Sequence, residues 1–554
     1  MTEEKPGLDR LAPALDAIAI GLVAILPTLA WQREGVTPAE GKPSWVFDSD
    51  QYLYGPDAAA WAQNALALHQ GRLADLDPHR LPTWTILTAG AMRWLDLDVA
   101  MAGHLVNRAE FVLLGPVVYL LGRALGLRAF ALLAAALVAM QPMLLASACR
   151  FSVDPTVTFL VPLTLLTAWC AGRWWWTAAF GGMIAGLTMV CHLTTIAYPA
   201  TGLLFCLAAG RGWWRVASLV LYAAGAYLVF RYVFSIFPIL PDEFFRDALA
   251  EGITPTGGDL TSAGREAARE HALETLRVNA PVALDTAVRL ILSTFRPVLV
   301  PWAVLLPVAW LGCLGPDAVR RPAEAVTGSA AWATARRVGG SLAGGFALAT
   351  ASAPLVAFAA AKSPERYSWN LLAAGAVLFA RGAATLVAGL VHLPLPGPGR
   401  AALRGRLELG LAVACTAAWA WGEWEEPHQR APITAPMEER RALSIGQALS
   451  EHFPPGIGAA SCLREALPYA GLTYCPHTVC PFDDNEVGYR RCVAILREEC
   501  TGEGDIPLVV TGGLTLEQRG EKRAHFETWI GTRLKPVANA GGADIYAIPR
   551  TGDL

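Results

Sequence analysis

Asp48-Ser49-Asp50-Gln51-Tyr52-Leu53-Tyr54-Gly55-Pro56-Asp57 is the first long polar stretch after the first apolar run, and an amphipathic segment follows it to Gly71. Its three acids precede roughly 300 residues that are mostly compatible with hydrocarbon. Acids beside a bilayer are costly enough to call for a reason. The loop is therefore the first place to look for a catalytic base. Asp57 is the leading candidate, with Asp50 or Asp48 as alternatives. Asp57 also follows Gly-Pro and opens a helix, so a simple capping role competes with the catalytic one.

Working outward, the composition explains why such a loop is unusual here. The chain has 554 residues, of which 54% are hydrophobic and 16% charged, against about 25% charged in a soluble domain. Many apolar runs reach the ~20 residues that a bilayer core requires. A net charge of −3 gives no footprint for nucleic acid. The first run, Leu11 to Trp31, has no small-residue cleavage site and reads as a retained span. Many of the 19 Trp, such as Trp174, Trp175, Trp176, Trp213 and Trp214, stand near the ends of apolar runs, as interfacial anchors do.

Arg clustering sets the orientation. Lys5 and Arg10 place the N-terminal tail in the cytoplasm. Spans are expected at 11–31, 99–121, 129–149 and 155–171, with two more across 174–210, separated near His192 and Pro199. Further spans are expected at 216–236, 292–313, 340–361, 369–391 and 407–421. Arg123, Arg128, Arg173, Arg211, Arg215, Arg320, Arg321, Arg336, Arg337, Arg400, Arg404 and Arg406 then fall on one side. The expectation is a multi-pass α-helical membrane protein of about 11 transmembrane helices. Its outer loop 32–98 would hold two interfacial pieces, Asp57–Gln70 and Thr83–Leu95. The polar segment Pro241–Ala283, with its run Arg265–Arg277, reads as a solvated amphipathic stretch on the same outer side.

Composition changes near Glu423, dividing the chain into a membrane domain, 1–423, and a C-terminal region, 424–554. Helical patterns at Ser444–Phe453 and Leu514–Leu534, and strand patterns at Ile506–Thr511 and Ala543–Ile548, describe a small α/β domain outside the membrane. Cys462, Cys475, Cys480, Cys492 and Cys500 concentrate there, which suits an oxidising compartment and disulfides. Their odd number leaves at least one unpaired within the domain. Cys475-Pro-His477-Thr-Val-Cys480 is the alternative, a zinc ligand group, though its spacing is not a standard one. The C-terminal region has no Gly-rich phosphate loop and no triad, so recognition or support suits it better than chemistry.

The polar groups assigned to the outer face come from distant parts of the chain: Asp48, Asp50, Asp57, His79, Arg80, Arg150, Asp154, His192, Lys362, Arg366 and Tyr367. Arg is disfavoured in short outer loops, so Arg80, Arg150 and Arg366 point to an anionic lipid head such as a phosphate. A carboxylate within reach of a hydroxyl can take its proton, and cations can stabilise a phosphate leaving group. Plain readings stand beside these. Asp154 before Pro155 makes a good helix start, Arg366 can snorkel to head groups, His192 can be a satisfied turn residue, and Trp61 can be packing.

Four stretches carry a resemblance to the GT-C glycosyltransferases, in the branch of the protein O-mannosyltransferases and the lipid A aminoarabinose transferase. Gly55-Pro-Asp57-Ala-Ala-Ala-Trp61, continuing to Gly71, resembles the first-loop signature. His79-Arg80-Leu81-Pro82-Thr83-Trp84 is similar to the His-Pro-Pro-Leu-aromatic step, with one Pro missing. Arg150-Phe-Ser-Val-Asp154-Pro155 is similar to a second acid at the start of a span, and Glu365-Arg366-Tyr367 to the Arg-Tyr before a late span. The usual Asp-Glu pair is absent, since Ala58 follows Asp57.

The resemblance covers about residues 40–425. It implies a polyprenyl-phosphate-linked sugar donor, a glycan, lipid or protein acceptor, and inversion at the anomeric carbon. In this reading Asp57, with Asp50 as substitute, and Asp154 are the catalytic acids. Arg366, Arg80, Arg150 and Tyr367 hold the donor phosphate. His79, Trp61 and His192 contact substrate. Mg or Mn is compatible with the acids, although spacing alone gives no metal pattern. The implied location is a bacterial-type inner membrane, with the C-terminal domain extracytoplasmic. Rival readings are a multi-pass transporter and a non-catalytic scaffold with an outer binding domain.

Overall fold

The computed structural model describes residues 8–33, 47, 53, 56–73, 76, 80, 82–127, 129–149, 151–171, 175–192, 195, 198–209, 213–237, 372–391, 406–407, 409–417, 437–461, 463–474, 505–511 and 516–549. The apolar runs form helices, because a helix satisfies every backbone group within its own segment, as hydrocarbon demands. They are α1 (Leu8–Arg33), α2 (Pro56–His69), α3 (Pro82–Leu95), α4 (Val99–Ala124), α5 (Phe130–Ala139), α6 (Pro142–Ala148), α7 (Asp154–Cys170), α8 (Trp175–Met189), α9 (Tyr198–Ala209), α10 (Trp214–Ile236) and α11 (Leu372–Val391). Among the described residues, segments of α1, α4 and α10 are long and apolar enough to cross a membrane: Pro13–Trp31, Val99–Ala124 and Trp214–Ile236. The expected spans at 292–313 and 340–361, and the polar segment 241–283, lie outside the described residues.

One expected span is corrected. Residues 129–149 form two helices, α5 and α6, rather than one. Gln141 precedes Pro142, and a residue before Pro is pushed away from α geometry. The Gln141 carboxamide oxygen then accepts the Leu144 N–H at 3.0 Å, satisfying a donor that the new helix start would orphan. The expected division of 174–210 is present, with α8 ending at Met189 and α9 starting at Tyr198.

By packing, the described chain falls into two compact units. The first comprises Met1–Gly35, Arg108–Ser147 and Val153–Ala431; the second comprises Val36–Asn107, Ala148–Ser152 and Pro432–Leu554. The sequence-based boundary at 423/424 therefore differs from the division by packing, which groups loop 1 with the C-terminal residues.

In the first unit α5 is buried almost all round and packs against α1 and α11. Asp16 on α1 accepts a 2.5 Å hydrogen bond from the Tyr119 hydroxyl and a 3.1 Å ion pair from Arg123, tying α1 to α4. The outward residues Leu15, Ile18, Leu22, Ile25 and Leu29 of α1, and Val216, Val220, Tyr227 and Leu228 of α10, are apolar and exposed. Hydrocarbon is the solvent that suits such faces.

Close backbone approach holds α8 to α10. Gly182 and Gly186 form a G-x-x-x-G step on α8, facing α10. A Cβ on Gly182 would run into the Tyr222 carbonyl, and one on Gly186 would come within 2.7 Å of the Ala226 carbonyl. Gly182→Leu is expected to force the helices apart at a cost of at least about 1–3 kcal/mol. A fall in the detergent-extracted protein's Tm checks this, and an unchanged Tm would refute the close packing.

The second unit joins a five-stranded sheet to α2 and α3. The strands are β1 (Gly458–Ser461), β2 (Thr473–Tyr474), β3 (Ile506–Thr511), β4 (Lys535–Ala540) and β5 (Ala543–Ile548), in the order β2-β1-β3-β5-β4. β1 runs parallel to β2 and β3, whereas β5 runs antiparallel to β3 and β4. Gly541 and Gly542, at φ +55° and +72°, turn β4 into β5, as a two-residue hairpin with both central φ positive requires. Helices α12 (Met437–His452) and α13 (Leu516–Ile530) complete the α/β part. Ile445 and Leu449 of α12 join Ile457, Leu472, Val509 and Ile545 in its core. Cys462, Cys475, Cys480, Cys492 and Cys500 lie outside the described residues.

Helix α2 packs against α3, β2 and the 3-10 turns Arg464–Ala466 and Pro468–Ala470. On α3, the Trp84 face is buried, while Trp94, 84% exposed, and Leu95 project outward.

Candidate functional site

The predicted site residues that are described fall into two groups, one in each unit. In the second unit, Asp57 is the second residue of α2. That puts it inside the first helical turn rather than at the cap position, and only its backbone is described. One turn on, Trp61 is 4% exposed. The Arg80 guanidinium carbon lies 5.8 Å from the Trp61 ring centroid, a cation–π distance. The Trp61 ring meets Trp84 edge-on, with centroids 5.8 Å apart, and Trp84 meets Phe151 edge-on at 4.6 Å. His104 packs edge-on against Phe151 at 5.8 Å.

This aromatic cluster has local causes. Trp84 has no exposed surface, and its indole N–H donates to Asn107 Oδ1 at 2.8 Å. Gly103 admits the Phe151 ring, which a Cβ there would strike. The cluster thus fixes Trp61, and Trp61 gives the half-buried Arg80 an aromatic surface to rest on.

In the first unit, Asp154 begins α7 and is half-buried. The N-cap Val153 supplies no side-chain hydrogen bond, so an acid in the first turn is left to balance the positive end of the helix. Two residues on, the Thr156 hydroxyl donates to Glu110 Oε2 at 2.5 Å, and Glu110 is buried. Cys191, two residues past the end of α8, is buried. Its neighbour His192 is half-buried in a turn stapled by Thr195. The Thr195 hydroxyl donates to the carbonyls of Thr188 and His192, and the His192 N–H donates to that hydroxyl at 3.2 Å. The Thr156–Glu110 hydrogen bond thereby joins the start of α7, where Asp154 stands, to α4.

Glu110 went unmarked in the sequence reading, and so did Arg381, which is fully buried midway along α11. The signal was present. His104, Asn107, Arg108 and Glu110 interrupt the candidate span Val99–Ala124, and Arg381 interrupts an apolar helix. Ionisable residues within spans are functional candidates by default. Of the other predicted residues, Asp48, Asp50, His79, Arg150, Arg366 and Tyr367 lie outside the described residues. Among the described residues, no three His, Cys, Asp or Glu side chains group as metal ligands. A groove of about 380 Å³ beside His452, Asp505 and Lys535 holds none of the predicted site residues.

No protein-family model matches the chain, and no curated protein does. Solved structures do. ArnT from Cupriavidus metallidurans bound to undecaprenyl phosphate aligns with a TM-score of 0.54 at 14% identity, covering 100% of both chains. The fold is ArnT-like. ArnT from the same organism in the apo state aligns with a TM-score of 0.52 at 13% identity, over 90% of this chain and 94% of that one. At such identity the likeness is one of fold. That fold accompanies helices that, among the described residues, are long and apolar enough to cross a membrane.

Proposed function

We propose that the chain is a membrane glycosyltransferase that moves a sugar from a polyprenyl-phosphate-linked donor to a hydroxyl acceptor on the non-cytoplasmic face, with inversion. The observation that carries this reading is the full-length likeness to ArnT bound to undecaprenyl phosphate. In the proposed reaction Asp57 takes the acceptor proton as the hydroxyl attacks the anomeric carbon. Asp154 orients the acceptor. Arg80, with Arg366, Arg150 and Tyr367, holds the donor phosphate and stabilises the charge left on it as the glycosidic bond breaks. Its seat on Trp61 supports this role for Arg80, because a guanidinium stacked on an aromatic face is preorganised for a planar oxyanion. His79, Trp61 and His192 complete the proposed substrate contacts.

The protein reconstituted in vesicles with undecaprenyl-phosphate-linked sugars is expected to release undecaprenyl phosphate and glycosylate an added acceptor. Arg80→Ala is expected to raise the donor KM by about tenfold or more, the loss of one charged hydrogen bond. A donor KM unchanged in Arg80→Ala would remove Arg80 from the phosphate site. The buried Glu110 and Arg381 are the observation that favours a transporter instead. Solute uptake into the same vesicles, with no sugar transfer, would decide for it.

A further inference from the structure

Helix α2 is tied to the C-terminal α/β residues at both ends. Upstream, Leu53 is fully buried, and its N–H donates to the Tyr469 hydroxyl at 2.5 Å. Downstream, the Arg72 guanidinium donates to the Gly456 carbonyl at 2.6 Å. Leu53 lies three residues before Pro56, the first residue of α2, and Arg72 lies three residues after His69, the last. Between the two ties, α2 rests on the 3-10 turns and on β2.

The receiving groups are themselves constrained. Gly446 on α12 lets the turn carrying Tyr469 press onto that helix. A Cβ there would strike the Tyr469 side chain and come within 2.7 Å of the Ala466 carbonyl. Gly456 adopts φ +93°, and its N–H donates to the Gly471 carbonyl at 2.9 Å. That hydrogen bond constrains the turn whose carbonyl Arg72 meets, and glycine adopts its positive φ without the strain a side chain would bring.

We propose that the C-terminal α/β residues act as a positioning element for α2, with Tyr469 and Arg72 as positioning residues, and that they set the placement of Asp57. This rests on the reading of Asp57 as the base. Displacing a catalytic group by about 1 Å can cost on the order of 10²-fold in rate, so two fixed ties around one short helix have catalytic leverage.

The test uses the full-length protein in nanodiscs, comparing Tyr469→Phe, Arg72→Ala and Arg72→Lys with the parent. Hydrogen exchange over residues 53–73 is read first, since it does not depend on activity. Tyr469→Phe and Arg72→Ala are expected to speed exchange there by about tenfold, the loss of one partly buried hydrogen bond. Arg72→Lys, which keeps a donor, is expected to restore most of the protection. In the transfer assay, Tyr469→Phe and Arg72→Ala are expected to lower kcat about tenfold or more with the donor KM unchanged. Unchanged exchange in both variants would overturn the ties. Faster exchange with parental kcat would overturn the positioning role. An active Asp57→Asn would instead refute the base while leaving the exchange result standing, so the two failures are distinguishable.

Discussion

Asp57→Asn is expected to abolish sugar transfer, with kcat falling by about 10²–10⁴-fold while the protein stays folded and binds its donor. The substitution keeps the size of the side chain and removes its capacity to take a proton. It also separates the competing roles. Helix α2 begins at Pro56, so Asp57 occupies the first turn. A carboxylate there interacts with the helix dipole for about 0.3–1 kcal/mol, and its loss would appear as a small fall in stability. A base, by contrast, shows in the chemical step. The decisive measurement is single-turnover transfer with Asp57→Asn and Asp154→Asn side by side, with undecaprenyl phosphate binding measured separately. A fully active Asp57→Asn would leave Asp50 or Asp48 as the base, or would end the glycosyltransferase reading if those variants were active too.

Trp84→Ala is expected to be the most damaging single truncation in the second unit, costing about 3–5 kcal/mol. Three losses combine. The side chain has no exposed surface, so its whole volume becomes a cavity. Edge-on contacts to Phe151 at 4.6 Å and Trp61 at 5.8 Å disappear. Asn107 Oδ1 loses the indole N–H that it accepts at 2.8 Å. Trp84→Phe keeps most of the ring packing and loses the donor, so it is expected to fall between the parent and the alanine variant, at about 1–3 kcal/mol. Thermal unfolding of the purified variants checks the order parent, Phe, Ala. Parental stability in Trp84→Ala would mean that the cluster does not hold Trp61 and Arg80 in place.

Much of the helical layout was legible because hydrocarbon leaves the backbone few choices. The ends of α1, α4, α7 and α10 fall within a few residues of the expected spans, and the break at His192 was readable from His192-Leu-Thr-Thr and Pro199. The Gln141-Pro142 break went unread because hydropathy does not change across it, although the dipeptide itself carried the signal. Likewise β3 and β5 were visible as apolar strands, whereas β4, Lys-Pro-Val-Ala-Asn-Ala, is an edge strand with no fully buried residue and no apolar alternation. Glu110 was hidden by its setting. One acid in a long apolar helix reads as a blemish until Thr156 is seen donating to it.

From the sequence alone came the membrane character, the helical runs and the kinds of residue that suit transfer from a lipid phosphate. All three follow from composition and local pattern, which a chain carries whether or not it is folded. Only the tertiary structure decided that Trp84 seats Trp61 beneath Arg80, that Thr156 meets Glu110, and that α2 is tied to Tyr469 and Gly456. The last tie spans 384 residues of chain. The physical reason is that a hydrogen bond or a ring contact depends on two groups arriving at one place, and separation along the sequence says nothing about that.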